Sequence, residues 1–282
     1  MTGDSARPEE IASAGGFDPS RPNAARIYDY LLGGKDNFAA DRQAAAELTR
    51  VLPDAAQVAR ANRDFLAAAV QYVAGCGIGQ YVDIGAGLPT PPNVHQCARA
   101  AVPGARVAYM DNDSVVVAHA RALLATDDLV SVIRADARDD QAILSALEED
   151  GLIDLAQPVC VLFVSMLHFM AAAEADAVVA AFRKRIAPGS YLVISAGVST
   201  ERNIPVGDQI QAAYGERTTL TGRPAAEIAA YFGDFDLVPP GIVPVTDWPF
   251  DGPCAARRPM LRRVPAAPTK AGMLAGIGYK PR

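Results

Sequence analysis

Three acidic residues lie where short apolar runs of the sequence come to an end. Asp83 falls within QYVDIGAG, Asp111 follows RVAYM, and Asp136 follows LVSVIRA. Apolar runs of this kind, separated by helical patterns, predict strands of a parallel sheet that is buried on both faces. Because the carboxyl ends of parallel strands meet at one edge of the sheet, where ligands bind, we expect the three acids to line one site.

The first strand runs into a tight turn that contains Gly85, Ala86 and Gly87, and glycines there allow a ligand to approach the backbone. A dinucleotide fingerprint would continue to a third glycine, but Thr90 stands in its place. The negative charge of Asp83 would also repel a diphosphate. A ligand with an ammonium group and no phosphate, such as S-adenosylmethionine (SAM), suits this turn better. The alternative role for Asp83 is a hydrogen bond to its own turn.

The second and third strands supply candidates for the other parts of such a ligand. Asp111, followed by Asn112, lies about 20 residues beyond the glycine turn, which is the spacing of an acid that binds ribose hydroxyls. We expect Asp113 instead to cap the helix that follows. Asp136 can accept a hydrogen bond from an adenine amino group, and the backbone amide of Ala137 lies beside it.

The fourth strand leads into Ser165 and His168, at a point that overlooks the middle of the predicted sheet edge. Ser165 is therefore a candidate for lining the pocket. His168 is a candidate general base for a nucleophile that must lose a proton, since histidine titrates near neutral pH. The alternative is a histidine whose ring is satisfied by backbone groups at a strand–helix junction.

Two segments before the first strand add further candidates. Tyr28 lies on a short helical pattern that Gly33 and Gly34 should end. We interpret this segment as a lid, in which Gly34 lets the backbone approach the ligand and Tyr28 faces a sulfonium by cation–π attraction. The alternative is a short helix with a glycine stop. Arg63, on the following helix, either reaches a ligand carboxylate or lies in solvent.

The composition bounds the class of protein. The chain has 282 residues and a formal net charge of −6, and no basic block interrupts it, so a nucleic-acid footprint is unsupported. The four cysteines are far apart and the three histidines lack metal-ligand spacing, which indicates reduced cysteines and no metal. Since no signal sequence or membrane-length apolar run is present, we expect a soluble, cytoplasmic protein.

Hydrophobic periodicity places the remaining elements. The predicted strands are 80–84, 106–110, 129–134, 158–164 and 190–195, and the predicted helices are 54–74, 93–102, 114–124, 140–149 and 172–186. After residue 205, helical stretches at 206–214 and 224–232 precede strand-like pieces at 235–238 and 258–264, which fit an antiparallel hairpin. In the first short helix, Ile27, Tyr30 and Leu31 share one face. The alternation predicts a doubly wound α/β sandwich.

These residues resemble the Rossmann-like SAM-dependent methyltransferases, and in particular a mainly actinobacterial S-adenosyl methyltransferase family that was first catalogued as a domain of unknown function. The similarity is carried by PNAARIYDYLLGGKDNFAADR (22–42), ANRDFLAAAV (61–70), QYVDIGAGLPTPPNVH (80–95), VAYMDNDSVVVAHARALL (107–124), LHF (167–169), APGSYLVIS (187–195) and GIGYKPR (276–282). The resemblance implies a mostly parallel seven-stranded sheet, SAM as the cofactor and an N-terminal segment over the cofactor site.

We therefore predict a flexible tail at 1–22, an N-terminal helical segment at 23–78 that covers the cofactor site, and a methyltransferase domain at 79–282. The expected activity is methyl transfer from SAM to a small-molecule acceptor. It requires alignment and exclusion of water, and a base only when the acceptor is protonated. A non-catalytic SAM-binding regulator remains an alternative. A nicotinamide-dependent oxidoreductase is a second alternative, which the incomplete glycine fingerprint and Asp83 disfavour.

Overall fold

The computed structural model describes residues 18–201, 203–215, 218–249 and 272–282, and helices cover both faces of its central β-sheet. Its five parallel strands are β1 Gln80–Ile84, β2 Arg106–Asp111, β3 Val130–Arg134, β4 Cys160–Val164 and β5 Tyr191–Gly197. Their order in the sheet is β3-β2-β1-β4-β5, so the winding reverses between β1 and β4. The predicted α/β class is confirmed, and this switch point is where such sheets bind ligands.

Helices surround the sheet in three groups. Before it come α1 Ala24–Leu31, α2 Ala39–Val51 and α3 Ala55–Gly75; the parallel strands are connected by α4 Val94–Arg99, α5 Ser114–Leu123, α6 Asp140–Asp150 and α7 Ala172–Arg185; α8 Gly207–Tyr214 and α9 Ala225–Ala230 follow β5. Helix α2 is not apparent from the sequence pattern, because its buried face contains Ala44 and Ala45 and so has little apolar contrast. Among the described residues, no helix is long and apolar enough to cross a membrane.

The C-terminal part of the sheet is antiparallel. It consists of β6 Asp236–Leu237, β7 Val243–Pro244 and β8 Met273–Tyr279. β8 pairs with β5 on one side and with the two short strands on the other, so the predicted antiparallel addition is present. The sequence pattern predicts a hairpin between 235–238 and 258–264, but the second of these segments lies outside the described residues. In the structure β6 pairs with β8.

Glycines explain why β8 was missed in the sequence. They weaken the strand pattern at Gly276 and Gly278, because glycine has a low strand propensity. A Cβ atom at these positions would lie 3.1 and 2.7 Å from the ring of Phe232. The glycines therefore allow the chain just beyond α9 to pack directly on the strand, which is the close approach that glycine in a strand permits.

The two sides of β1 face different layers of the core. Val82 and Ile84 pack with residues of α6 and α7, while Tyr81 packs with the apolar face of α3. Since side chains alternate along a strand, Asp83 lies on the same side as Tyr81. The predicted face of α3 is buried as expected, and this helix therefore packs over the side of β1 that carries the acid.

The N-terminal helices form a third layer with α8 and are anchored by a buried ion pair. The Asp41 carboxylate is fully buried and lies 2.8 Å from Arg26 Nε. Asp41 also accepts hydrogen bonds from the backbone amides of Asn23 and Phe38. On the predicted apolar face of α1, Tyr30 is in fact 41% exposed, because the helix turns this side outward and buries Arg26 instead.

Candidate functional site

A cavity of about 560 Å³ lies at the carboxyl ends of β1 to β4, and α1 forms part of its wall. Most of the residues proposed from the sequence line it together: Tyr28, Arg63, Asp83, Gly85, Ala86, Gly87, Asp111, Asn112, Asp136, Ala137 and Ser165. Gly34 and His168 do not. The predicted tail at 1–22 falls mostly outside the described residues, but its end, with Asp18 and Arg21, lies at this cavity.

Asp83 is a buried carboxylate with few neighbouring groups that would offset its negative charge. It is 5% exposed, and no hydrogen bond reaches its side chain from the described residues. Burial raises the pKa of Asp83 to about 7, against the smaller opposing effect of the Arg63 charge, and the neighbouring Asp111 raises it further. The alternative expectation, a bond from Asp83 to its own turn, is therefore not what the structure shows.

The glycine turn after β1 is held by the end of β2. Gly85 and Ala86 donate their backbone amides to the carbonyl of Met110, and Gly87 donates to Asp111 Oδ2 at 3.0 Å. Gly85 has a φ of 70°, and a Cβ atom there would lie 2.8 Å from Met166 Cβ. The first glycine is therefore required both by its backbone conformation and by its close packing against the end of β4.

Asp113 caps the following helix as expected, and Asp111 accepts backbone amides at the end of β2. Asp111 Oδ1 accepts the amide of Asp113 at 2.9 Å, and burial raises the pKa of the Asp111 carboxyl. Asp113 Oδ1 caps α5 by accepting the amides of Val115 and Val116. Its other oxygen accepts a 2.7 Å hydrogen bond from the side chain of Asn23. The acid that caps the helix thus also fastens the start of α1 beside the cavity.

Asp136 lies in a more exposed part of the cavity and has partners of its own. Both of its oxygens accept hydrogen bonds from the Arg138 guanidinium, which together lower the pKa of Asp136 to about 2. Asn112 donates a further bond at 3.3 Å. Asp136 is therefore ionised and oriented, and the backbone of Ala137 lies beside it along the cavity wall.

Arg63 lies in the cavity wall, but its guanidinium turns toward the loop that follows β1. Its Nη2 donates to the carbonyl oxygens of Thr90 at 2.5 Å and Pro92 at 3.0 Å. This geometry differs from both the ligand-bound and the solvated arginine that the sequence allowed. Arg63 ties α3 to the loop and keeps a positive charge near Asp83.

A buried hydrogen-bond chain connects α1 to the end of β4. Ser165 has a φ of 60°, an unusual conformation for a residue other than glycine, and donates its amide to Ser195 Oγ at 3.0 Å. Ser195 donates to Asn62 Oδ1 at 2.6 Å, and Asn62 Nδ2 donates to the Tyr28 hydroxyl at 2.9 Å. The Tyr28 hydroxyl in turn donates to the carbonyl of Ala59.

Sequence reasoning missed Asn62 and Ser195, although a signal for the first was present. Asn62 lies within the otherwise apolar stripe of α3 and is 1% exposed. A polar residue in such a stripe must find hydrogen-bond partners. Those partners come from β5 and α1, which are distant in the sequence, so their identity could not be read locally.

Gly34 lies outside the cavity for a packing reason. A side chain at this position would overlap the carboxylate of Asp29. Asp29 Oδ2 accepts bonds from the amide of Asp36 and the side chain of Asn37, so the loop of residues 33–37 wraps around it. The structure thus explains the glycine by contact with Asp29, and residues of α1, but not Gly34, line the cavity.

His168 is also turned away from the cavity. Its Nδ1 accepts the backbone amide of Gly197 at 3.2 Å, and burial lowers the pKa of His168 to about 4, with the Arg223 charge acting in the same direction. A neutral ring that accepts a hydrogen bond at Nδ1 carries its proton on Nε2, so neither ring nitrogen is free to act as a base. The catalytic role proposed for His168 is therefore corrected to the alternative, a histidine satisfied by backbone groups.

No group of three or more metal-ligating side chains occurs within the described ranges. Cys97 and Cys160 are buried free thiols, and Cys254 lies outside the described residues.

The raised pKa of Asp83 predicts a stability gain when the carboxylate is removed. In the unfolded chain Asp83 ionises near pH 4, whereas in the folded chain it ionises near pH 7, so its ionisation opposes folding increasingly between these values. In urea titrations without ligand, we expect Asp83→Asn to gain on the order of 3 kcal/mol relative to wild type between pH 4 and pH 8. A constant difference across this range would contradict the assigned burial.

The lowered pKa of His168 predicts the opposite trend over an overlapping interval. Folding requires a neutral ring, so the contribution of His168 is present above pH 6.5 and is lost as the pH falls toward 4. We expect His168→Asn to destabilise the protein by about 1–3 kcal/mol at pH 7.5, through the weakened bond to Gly197, and by clearly less at pH 5. An equal deficit at both pH values would argue against a buried neutral ring.

Comparison with known proteins relates the whole chain to one family. A sequence profile described as S-adenosyl methyltransferase matches residues 11–281. The crystal structure of a candidate methyltransferase from Thermobifida fusca YX is 39% identical, with a TM-score of 0.83 over 95% of this chain and 98% of that one. That of a DUF574 family protein from Streptomyces avermitilis is 34% identical, with a TM-score of 0.81 over 94% of this chain and 99% of that one. A search of curated proteins gave no match.

These similarities extend over both the sheet and the N-terminal helices, and they agree with a cavity that carries acids at the ends of three neighbouring strands. The chain therefore belongs to the S-adenosyl methyltransferase family, and its cofactor is SAM.

Proposed function

We propose that this chain transfers the methyl group of SAM to a small-molecule acceptor that binds in the same cavity. The observation that carries the proposal is Asp83, a buried carboxylate at the switch point that lacks a hydrogen-bond partner among the described residues. Such a carboxylate is stabilised in its ionised form by a nearby positive charge. SAM brings an ammonium group and a sulfonium, so it adds positive charge beside a carboxylate that Arg63 compensates only in part.

The residues at the other strand ends fit the remaining parts of SAM. Asp111 lies at the neighbouring strand end and would accept hydrogen bonds from the ribose hydroxyls. Asp136, the backbone of Ala137 and the apolar side chain of Ile143 line the region beyond it, where the adenine would lie. The order of the strands thus matches the order of the groups along the cofactor.

A nicotinamide dinucleotide fits the same cavity poorly. Phosphate-binding turns of Rossmann folds offer backbone amides to the diphosphate. Here Gly85 and Ala86 donate theirs to Met110, and Gly87 donates to Asp111. The buried charge of Asp83 would in addition repel the phosphates. These contacts favour SAM over the oxidoreductase alternative.

The protein's part in the reaction is to bind, orient and exclude water. SAM supplies an electrophilic methyl group when it is bound. The chain from Ser165 through Ser195 and Asn62 to Tyr28 holds the end of β4 and α1 together around the reacting position. Alignment of this kind accelerates an in-line displacement without a protein base. The formal charge of −6, without a basic block, favours a small acceptor over a nucleic acid.

Replacement of Asp111 tests how the cofactor is held. We expect Asp111→Asn to weaken SAM binding by about 1.5–3 kcal/mol, because an amide cannot match the hydrogen bonds of a charged acceptor. Isothermal titration calorimetry measures the change. Asp128→Asn is a matched control, since Asp128 is exposed and lies outside the cavity. Wild type should bind SAM and S-adenosylhomocysteine but not NAD.

Three outcomes would count against this account. Wild-type affinity in a folded Asp111→Asn variant would show that the ribose lies elsewhere. Binding of NAD without detectable binding of SAM would contradict the proposed arrangement of the cofactor. Tight SAM binding without release of S-adenosylhomocysteine, over a broad panel of acceptors, would favour the non-catalytic regulator.

A further inference from the structure

We propose that the β4 end of the cavity recognises a neutral aromatic acceptor, an inference that rests on the methyl-transfer function proposed above. The strand order sets the direction of the cavity: Asp136, Asp111 and Asp83 follow one another from β3 to β1. The next strand across the switch point is β4, which continues into Ser165 and Phe169. SAM lying along the acids would have its ribose at Asp111 and its amino-acid end near Asp83, so its sulfonium would lie between them, beside the turn at Gly85 against which Met166 packs.

Aromatic and thioether side chains concentrate at this end. Tyr28 from α1 and Phe169 from the turn after β4 both line the cavity. Tyr214 of α8 packs edge-on against Phe169, with ring centroids 5.3 Å apart, and is close enough to Tyr28 to affect its own pKa. Met166 and Met170 complete the wall. We refer to these five residues as the aromatic end; their surfaces suit stacking and edge contacts with a planar ring.

Among the described residues, Arg21, Arg26 and Asp29 near the aromatic end are engaged with other protein groups. Arg26 is paired with the buried Asp41, and Arg21 forms an ion pair with Asp18. Asp29 accepts two hydrogen bonds from the loop that follows α1. An anionic acceptor would thus find Arg21 and Arg26 already paired, while Arg63 donates to loop carbonyls and its charge faces Asp83.

A cationic acceptor is disfavoured by the cofactor itself. The sulfonium would lie at the same end of the cavity, and two positive charges repel strongly in a site from which water is excluded. The acceptor that fits is therefore an uncharged ring, with a heteroatom that can reach the methyl group. The hydroxyls of Thr218 and Thr219, which also line the cavity, offer neutral hydrogen-bonding groups.

The transfer step is balanced without a protein base. A lone pair of the acceptor heteroatom forms the new bond to the methyl carbon, and the electron pair of the breaking carbon–sulfur bond stays on sulfur. The positive charge passes to the methylated acceptor, which then loses its O–H or N–H proton to water. Burial raises the pKa of the Tyr28 hydroxyl and so keeps it protonated, and this hydroxyl donates its hydrogen to the carbonyl of Ala59. Tyr28 therefore does not take the proton.

A panel of probes of one size and different charge tests the proposal. The protein is first saturated with S-adenosylhomocysteine, which calorimetry verifies, and is then titrated with 2-naphthol, 2-naphthoate, 2-naphthylmethylammonium and the saturated decahydro-2-naphthol. We expect 2-naphthol to bind at least tenfold more tightly than each of the others. The same neutral ring should release S-adenosylhomocysteine when SAM is supplied instead.

Variants locate the binding site of the probe. Phe169→Leu keeps apolar volume but removes the ring, and Phe169→Ala removes both; each should weaken 2-naphthol binding at least fivefold and change S-adenosylhomocysteine affinity less than twofold. Tyr30→Ala is the control, since Tyr30 is an exposed aromatic residue of α1 outside the cavity. It should leave both affinities unchanged.

The failures of the two proposals are distinguishable. If S-adenosylhomocysteine and SAM do not bind, the proposed function falls and this inference falls with it. If they bind but 2-naphthol shows no preference over the charged or saturated probes, only the acceptor class is overturned. A preference for the ammonium probe would assign recognition to Asp29, and undiminished binding in both Phe169 variants would place the ring elsewhere.

Discussion

An ionised carboxylate inside a protein is unfavourable unless a positive charge or hydrogen-bond donors face it. Asp83 occupies such a position in the central strand of the sheet, and Arg63, the nearby cation, donates to loop carbonyls instead. The surrounding structure keeps the acid in place because β1 is paired on both sides and α3 covers it. The arrangement disfavours the ionised carboxylate in the ligand-free protein, and a positive charge bound beside it would relieve this cost.

The helices before the sheet give this site its walls. Asp41 pairs with Arg26 and accepts the backbone amides of Asn23 and Phe38, and these contacts hold the N-terminal helical layer together. The side chain of Asn23 also donates a hydrogen bond to Asp113 beside the cavity. At the other end of α1, the hydrogen-bond chain through Tyr28 joins the strained backbone after β4. One helix is therefore tied to the residues that follow β2 and to those that follow β4.

The parts of this account that are local in sequence were predictable. Apolar runs and the acids that follow them place the strands and bring Asp83, Asp111 and Asp136 to one cavity, because strand periodicity and parallel topology require little else. The role of Gly34 depends on its contact with the Asp29 side chain, and that of His168 on a hydrogen bond from the backbone of β5. Neither contact is visible in the sequence pattern. Sequence spacing gives the position of a side chain along an element but not the partner toward which it turns.

The central claim is that the positive charge of SAM ionises Asp83. Calorimetric titration at pH 6.5, in buffers with different enthalpies of ionisation, measures the protons released on binding. The account predicts the release of about three-quarters of a proton by wild type, because that fraction of a carboxyl with a pKa of about 7 is protonated at pH 6.5, and close to none by Asp83→Asn. Equal proton release by the two proteins, or none by wild type, would contradict it.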